Sequence, residues 1–180
     1  LEELKKGAAD LVLFIDTEVF FNGAMFKVLY QELLAVDADA MTPFTVNKLG
    51  FYHDTFAHIS SNGQYMKASE NNPLTLIKRH LWANKKPSTQ PVRSSFNGFY
   101  LCKKPVLDIP NLTYITTEPA CEHLVFNQNV IASGYKIFVT NKVTPIMSAT
   151  SDYQKYFEII LRNKSDIRDE LLTLSNLFNF

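Results

Sequence analysis

Apolar residues along the chain follow several distinct rhythms. Residues 10–15, Asp-Leu-Val-Leu-Phe-Ile, form a run without alternation and rich in strand formers, which predicts a central strand covered on both faces. The rhythm then changes to a helical one. Asn22 is placed to cap a helix running to about residue 35, with Phe26, Leu29, Leu33 and Leu34 on one face. Residues 38–46 predict a second strand interrupted at Pro43. An aromatic and histidine-rich stretch, 50–59, leads into a polar loop at 60–73, a short helix at 74–84 carrying His80 and Trp82, and another loop at 85–91.

The later part of the chain repeats the alternation. Residues 93–102 predict a strand containing Gly98, and 112–116 another. Thr117, Glu118 and Pro119 open a helix that stops at Gly134, with the proline in the first turn and the glycine past the end. Residues 135–140 predict a strand, and two short amphipathic helices follow at 152–162 and 166–178. Strands and helices in alternation predict an α/β fold with a mixed, mostly parallel sheet flanked by helices. Two units are expected: a main domain over 1–146 and a helical extension over 147–180.

Composition narrows the function classes. The chain has 180 residues, enough for one substantial core, with 46% hydrophobic and 20% charged residues and a net charge of zero. That balance lacks the basic footprint of a nucleic-acid binder. No apolar run reaches the roughly 18–20 residues of a membrane-spanning helix. The two cysteines, Cys102 and Cys121, are too few for a disulfide framework and are expected as thiols.

Candidate chemistry concentrates in a few places. Asp16 and Glu18 follow the first strand, where ligands collect in open α/β sheets. Carboxylates separated by one residue, on a turning chain, can face one hard cation such as Mg²⁺ or Mn²⁺, with nucleotide phosphates completing its shell. Glu118, Glu122 and His123 gather at a predicted helix N-terminus, where the backbone dipole favours an ionised carboxylate. An ionised carboxylate is what a general base requires. Capping alone accounts for Glu118. His53 stands beside Asp54, a pair that can serve as base or metal ligand or simply hydrogen-bond in a partly buried loop, and Asn97 and Gly98 interrupt a strand where a ligand can approach or a bulge can form.

These segments together resemble GT-A-type glycosyltransferases, and in particular the capsule-associated mannosyltransferase-like families. The run Ala9-Asp10-Leu11-Val12-Leu13-Phe14-Ile15-Asp16-Thr17-Glu18-Val19 resembles the strand and DxD-type motif. Gly50-Phe51-Tyr52-His53-Asp54-Thr55-Phe56-Ala57 looks like their FYDTFA segment, and Ser94-Ser95-Phe96-Asn97-Gly98-Phe99-Tyr100 like their SCWNG segment. Cys121-Glu122-His123-Leu124-Val125-Phe126-Asn127 resembles the helix start that carries an xED-type motif, and Lys136-Ile137-Phe138-Val139 the strand after it. The chain departs from the pattern at Glu18, the second acid, at Glu122-His123, and in having no histidine near Asn141.

The resemblance implies a GT-A-like fold, incomplete at the N-terminus because the nucleotide-binding βαβ part would precede Leu1. It implies transfer of a sugar from a nucleotide-sugar donor to a hydroxyl acceptor on a glycan or glycoconjugate. Asp16 and Glu18 would hold Mn²⁺ or Mg²⁺, with Thr17 beside them. Glu122 would be the base, and Tyr52, Asp54, Asn97, Gly98 and His123 would contact substrate. Two rival classes fit parts of the sequence. A haloacid-dehalogenase-like phosphatase also opens with an acid pair after a strand, but wants a DxDxT-like run where this chain has Asp16-Thr17-Glu18-Val19-Phe20. A non-catalytic carbohydrate-binding or scaffold domain could keep the same fold.

Overall fold

In a computed structural model of the chain, the structure describes residues 7–47, 57–63, 87–115 and 121–147. The predicted helices at 74–84, 152–162 and 166–178, and the residues Tyr52, Asp54 and Glu118, lie outside the described residues.

The apolar run near the start forms strand β1, Leu11–Ile15, followed by the two-residue β2, Val19–Phe20. Helix α1, Gly23–Ala35, begins where expected: Asn22 is extended and its side-chain oxygen accepts the Met25 N–H at 2.9 Å. Such a cap stabilises a helix by about 1 kcal/mol. Leu29 and Leu33 are its buried residues, each contributing about 1.5–3 kcal/mol on burial. Leu34, expected on the same face, is 55% exposed. Strands β3, Ala40–Pro43, and β4, Val46–Asn47, divide the second predicted strand around Phe44 and Thr45.

Strand β5 is Ile59–Ser60. The single strand expected over 93–102 is two strands, β6, Thr89–Ser94, and β7, Phe99–Lys103. The break between them is a tight turn in which Phe99 N–H donates to the Phe96 carbonyl at 3.1 Å. Its two central residues, Asn97 (φ 58) and Gly98 (φ 65), are both left-handed. Asn-Gly is the residue pair that tolerates this conformation best, because glycine has no Cβ and asparagine bonds locally. β6 contains Pro91, which had suggested a loop. Pro91 is exposed and faces Phe138 of β8 on one side, while the two residues of β5 pair only with Ser94 and Val92 on the other. Proline is tolerated where no neighbour asks for its N–H.

A 3₁₀ helix, Lys104–Asp108, follows, and residues 112–115 are not a strand. Helix α2, Glu122–Ala132, has Cys121 as N-cap and ends before Gly134, which takes φ +86. Strands β8, Ile137–Thr140, and β9, Ile146–Met147, close the described chain.

The expected α/β mixed sheet is present, with six strands in the order β1-β7-β3-β8-β6-β5. The expectation that it is mostly parallel is corrected: only β3 and β8 pair in parallel, and the other pairings are antiparallel. The reason is β7, which inserts between β1 and β3 and runs against both. β1 is likewise an edge strand rather than a central one among the described residues. Of its five residues only Val12 is buried, Leu11, Leu13 and Phe14 being half-buried and Ile15 exposed, although side chains on both faces pack against neighbours. On one side Leu11 and Leu13 pack with Leu29, Leu33, Met41, Phe99 and Leu101 under α1. On the other, Val12 and Phe14 pack with Tyr100, Cys102, Phe126 and Val130 under α2. The sheet is thus the middle layer of three. A second sheet has the strand order β2-β9-β4.

Since β7 opposes both β1 and β3, and β8 parallels β3, the strands β1, β3 and β8 share one direction. Their carboxyl ends meet at one edge. Ile15 faces Phe99 there, and Phe44 N–H donates to the Thr140 carbonyl at 2.8 Å.

Candidate functional site

The acid pair stands at this carboxyl edge. Asp16 N–H donates to the Gly98 carbonyl at 2.8 Å, and the Asp16 carbonyl accepts from Val19 N–H at 3.0 Å. The segment Asp16-Thr17-Glu18-Val19 is therefore a closed turn tied to the Asn97–Gly98 turn. Val19 is buried and anchors it, while Asp16, Thr17 and Glu18 are exposed. Two exposed carboxylates on a pinned turn are hard oxygen donors, the ligand type that Mg²⁺ and Mn²⁺ take.

Asn97 and Gly98 hold that turn instead of lining an open surface. Asn97 is 1% exposed. Its amide nitrogen lies 3.0 Å from Thr42 Oγ1, 2.7 Å from the Pro43 carbonyl and 2.9 Å from Ser95 Oγ. The side chain is a clamp between the turn and the end of β3. Gly98 is also buried, and its carbonyl is the acceptor for Asp16.

Glu122 and His123 occupy the first turn of α2, with Glu122 as its acidic first-turn residue. The Glu122 side chain is 56% exposed and its Oε1 lies 4.0 Å from His123 Nε2. His123 is fixed by stacking: its ring lies 4.1 Å from that of Phe96, with 5° between the planes. Asn127, one turn further along, donates to Ser94 Oγ and to the Ser95 carbonyl, both at 3.1 Å. The helix start is therefore locked to the segment that leads into the Asn97 turn.

Tyr114 is the residue that relates the two acidic positions, and nothing in the sequence pattern marks it. It falls within the strand expected over 112–116, of which the described residues 112–115 are not a strand. Its ring stacks on Phe126 at 4.4 Å and meets Phe14, Phe96 and His123 edge-on at 6.0, 5.8 and 6.1 Å. Its hydroxyl is buried without a hydrogen-bond partner. Burial pushes the Tyr114 phenol well above its ordinary range, and the charges of Cys102, Asp16 and Glu122 push in the same direction. Through Phe14 and His123, the ring cluster brings the end of β1, which leads into Asp16, and the Glu122 helix start together. Only the dense aromatic content hinted at this, since Phe14, Phe96 and Phe126 all sit inside segments already of interest.

Among the described residues, Cys121, Glu122 and His123 form one group whose potential ligand atoms lie within 4.8 Å of one another. A thiolate, a carboxylate and an imidazole make a softer donor set than Mg²⁺ or Mn²⁺ selects. Both cysteines are free thiols, as expected; Cys102 is buried and its thiol is pushed up to about 12 by burial. Large apolar side chains flank the acid turn: Ile15, Phe20 and Phe21 are exposed, and Phe20 pairs across β2–β9 with exposed Ile146.

Comparison with protein-family models and with curated proteins gives no match. No helix among the described residues is long and apolar enough to cross a membrane.

Proposed function

We propose that the chain is the metal-binding and acceptor-side part of a GT-A-like glycosyltransferase, which moves a sugar from a nucleotide-sugar donor to a hydroxyl of a carbohydrate or glycoconjugate. One observation supports the reading: Phe14, near the end of the strand that leads into Asp16, and His123, next to Glu122, both meet the Tyr114 ring, at 6.0 and 6.1 Å, so the acid turn and the helix start lie on one aromatic cluster. An acid pair on one side and an acid at a helix N-terminus on the other is the arrangement this reaction asks for.

Asp16 and Glu18 are the residues that would hold a divalent cation, which when bound supplies charge neutralisation for the departing diphosphate. Glu122 takes the proton of the acceptor hydroxyl if the anomeric centre inverts. It stands in the first turn of α2, where the helix dipole favours negative charge. His123, immobilised on Phe96, positions the acceptor beside Glu122. If configuration is retained, Glu122 positions substrate instead.

The reading is tested by thermal stability of the intact protein with Mn²⁺, with a nucleoside diphosphate, and with both. A ligand that binds only the native state raises its stability by mass action. The two together should raise the melting temperature more than the sum of each alone, and Asp16→Asn should remove the excess. Strict additivity in the wild-type protein would refute the reading.

A further inference from the structure

A second concave site lies away from the acid turn, between β5 with its following turn, β6 and the C-terminal half of α2. It is a cavity of about 290 Å³ lined, among the described residues, by Ile59, Gly63, Arg93, Gln128, Ile131 and Ala132. That volume is at the lower end of the range for small-molecule sites, about 300–1,000 Å³. Its lining divides by chemistry. Ile59, Ile131 and Ala132 give an apolar floor. Arg93 and Gln128 supply the polar side chains, one permanently charged and one neutral.

The guanidinium of Arg93 lies against the turn that follows β5. Arg93 Nε donates to the Ser61 carbonyl at 3.2 Å. Gly63, at φ +82, brings its backbone so close that a Cβ there would come within 3.2 Å of Arg93 Nη1. A side chain at position 63 would crowd the guanidinium and strain the backbone together. Arg93 belongs to none of the ion pairs among the described residues. A guanidinium in the lining of a partly apolar cavity, held by one hydrogen bond and with no carboxylate partner among the described residues, is arranged for an anion. Arginine's planar fork suits carboxylate and phosphate oxygens, and such charge-assisted bonds are about twice as strong as neutral ones.

We propose that this cavity binds a small organic anion, a carboxylate or a phosphate monoester. Arg93 and the Gln128 amide hold the anionic group, and the apolar body lies on Ile59, Ile131 and Ala132. The proposal does not depend on the transferase reading, because none of these residues belongs to the acid turn or to the start of α2.

The probes are benzoate and phenyl phosphate, with benzyl alcohol as a neutral analogue of similar apolar body. Binding to the intact protein is followed by calorimetric titration. At least one anion should bind saturably and roughly tenfold or more tightly than the alcohol, the loss expected when a charge-assisted hydrogen bond is removed. The tighter of the two anions identifies the headgroup. Arg93→Gln should remove that preference. Because Arg93 also supports the turn at Ser61, a second variant guards against loss of the fold. Ala132→Leu fills the cavity from an exposed helical position with a residue that favours helix, and should weaken both anions while leaving the melting temperature near wild type. No saturable binding of either anion, or undiminished binding in Ala132→Leu, would overturn the proposal. So would undiminished binding in a folded Arg93→Gln protein.

Discussion

Replacing Asn97 by alanine should cost the protein a large part of its stability, and the structure allows the size to be worked out. The amide nitrogen has two hydrogens and three acceptors within reach, Thr42 Oγ1, the Pro43 carbonyl and Ser95 Oγ. It therefore makes two full bonds' worth of interaction, about 1–3 kcal/mol at about 0.5–1.5 kcal/mol each. Alanine must also hold φ near +58, a conformation that costs an ordinary L-residue about 1–2 kcal/mol. The sum is about 2–5 kcal/mol, against a total of about 5–15 kcal/mol for a typical domain. Asn97→Gly separates the two contributions, since glycine accepts the left-handed turn but makes none of the side-chain bonds. It should be less damaging than alanine by about 1 kcal/mol. The assay is urea unfolding, read as a lower midpoint at unchanged slope. If Asn97→Ala falls within about 0.5 kcal/mol of wild type, as a surface substitution does, the side chain is not the clamp described here.

Three further outcomes are expected. Glu122→Gln should cut sugar transfer strongly while changing stability by no more than about 1 kcal/mol, the scale of a first-turn dipole contact; turnover near wild type would remove Glu122 from the reaction. Glu32 is reached by Lys142 Nζ and Thr89 Oγ1, each at 2.6 Å. Burial works to raise its pKa, yet those bonds and the Lys142 charge outweigh it and leave the carboxyl below its ordinary value of 4.5. A depressed carboxyl pKa contributes stability above the unfolded value that is lost as pH falls through the folded one. Glu32→Gln should therefore flatten the acid side of a melting-temperature profile below about pH 4.5, and parallel profiles would refute this. Buried Cys102 should resist a thiol reagent at neutral pH until the protein unfolds, whereas half-buried Cys121 reacts in the native state. Equal native rates measured by mass spectrometry would contradict that.

What the sequence disclosed depended on whether a local cause governed the structure. Helix α1 was legible because Asn22 caps it and Leu29 and Leu33 return at helical spacing. β1 was legible as a strand but not as an edge, since a run covered by helices above and below looks the same wherever it sits in the sheet. Strand direction was not legible either. Alternating strands and helices suggested parallel pairing, but β7 enters between β1 and β3 from the opposite direction, a matter of tertiary packing. The Asn97-Gly98 turn did carry a local signal. Asn-Gly is a strong marker of a left-handed turn, and reading it as an interruption within one strand concealed that β6 and β7 are separate. In the candidate site, Asp16, Glu18 and Glu122 were visible as acids at element ends. Tyr114 was not, because its place among Phe14, Phe96, His123 and Phe126 is made by residues drawn from across the chain.

The strand order also has a kinetic consequence. Leu11 must find Lys103, Ala40 must find Ile137, and Thr89 must find Thr140 before the six-stranded sheet exists. No pair in it is joined by a tight hairpin among the described residues. Each pairing closes a long loop before any contact repays the lost chain entropy, and such topologies fold slowly, on the order of milliseconds to seconds. A ribosome delivers residues in order, so β1 emerges well before its partner β7, and β3 before β8. Helix α1, whose bonds are local, can form early, while the apolar strand beside it stays unpaired. During synthesis Leu11–Ile15 is thus the stretch most exposed to wrong partners. Slower translation upstream of residue 103 would lengthen that interval, and a chaperone that shields short apolar segments would limit its effect.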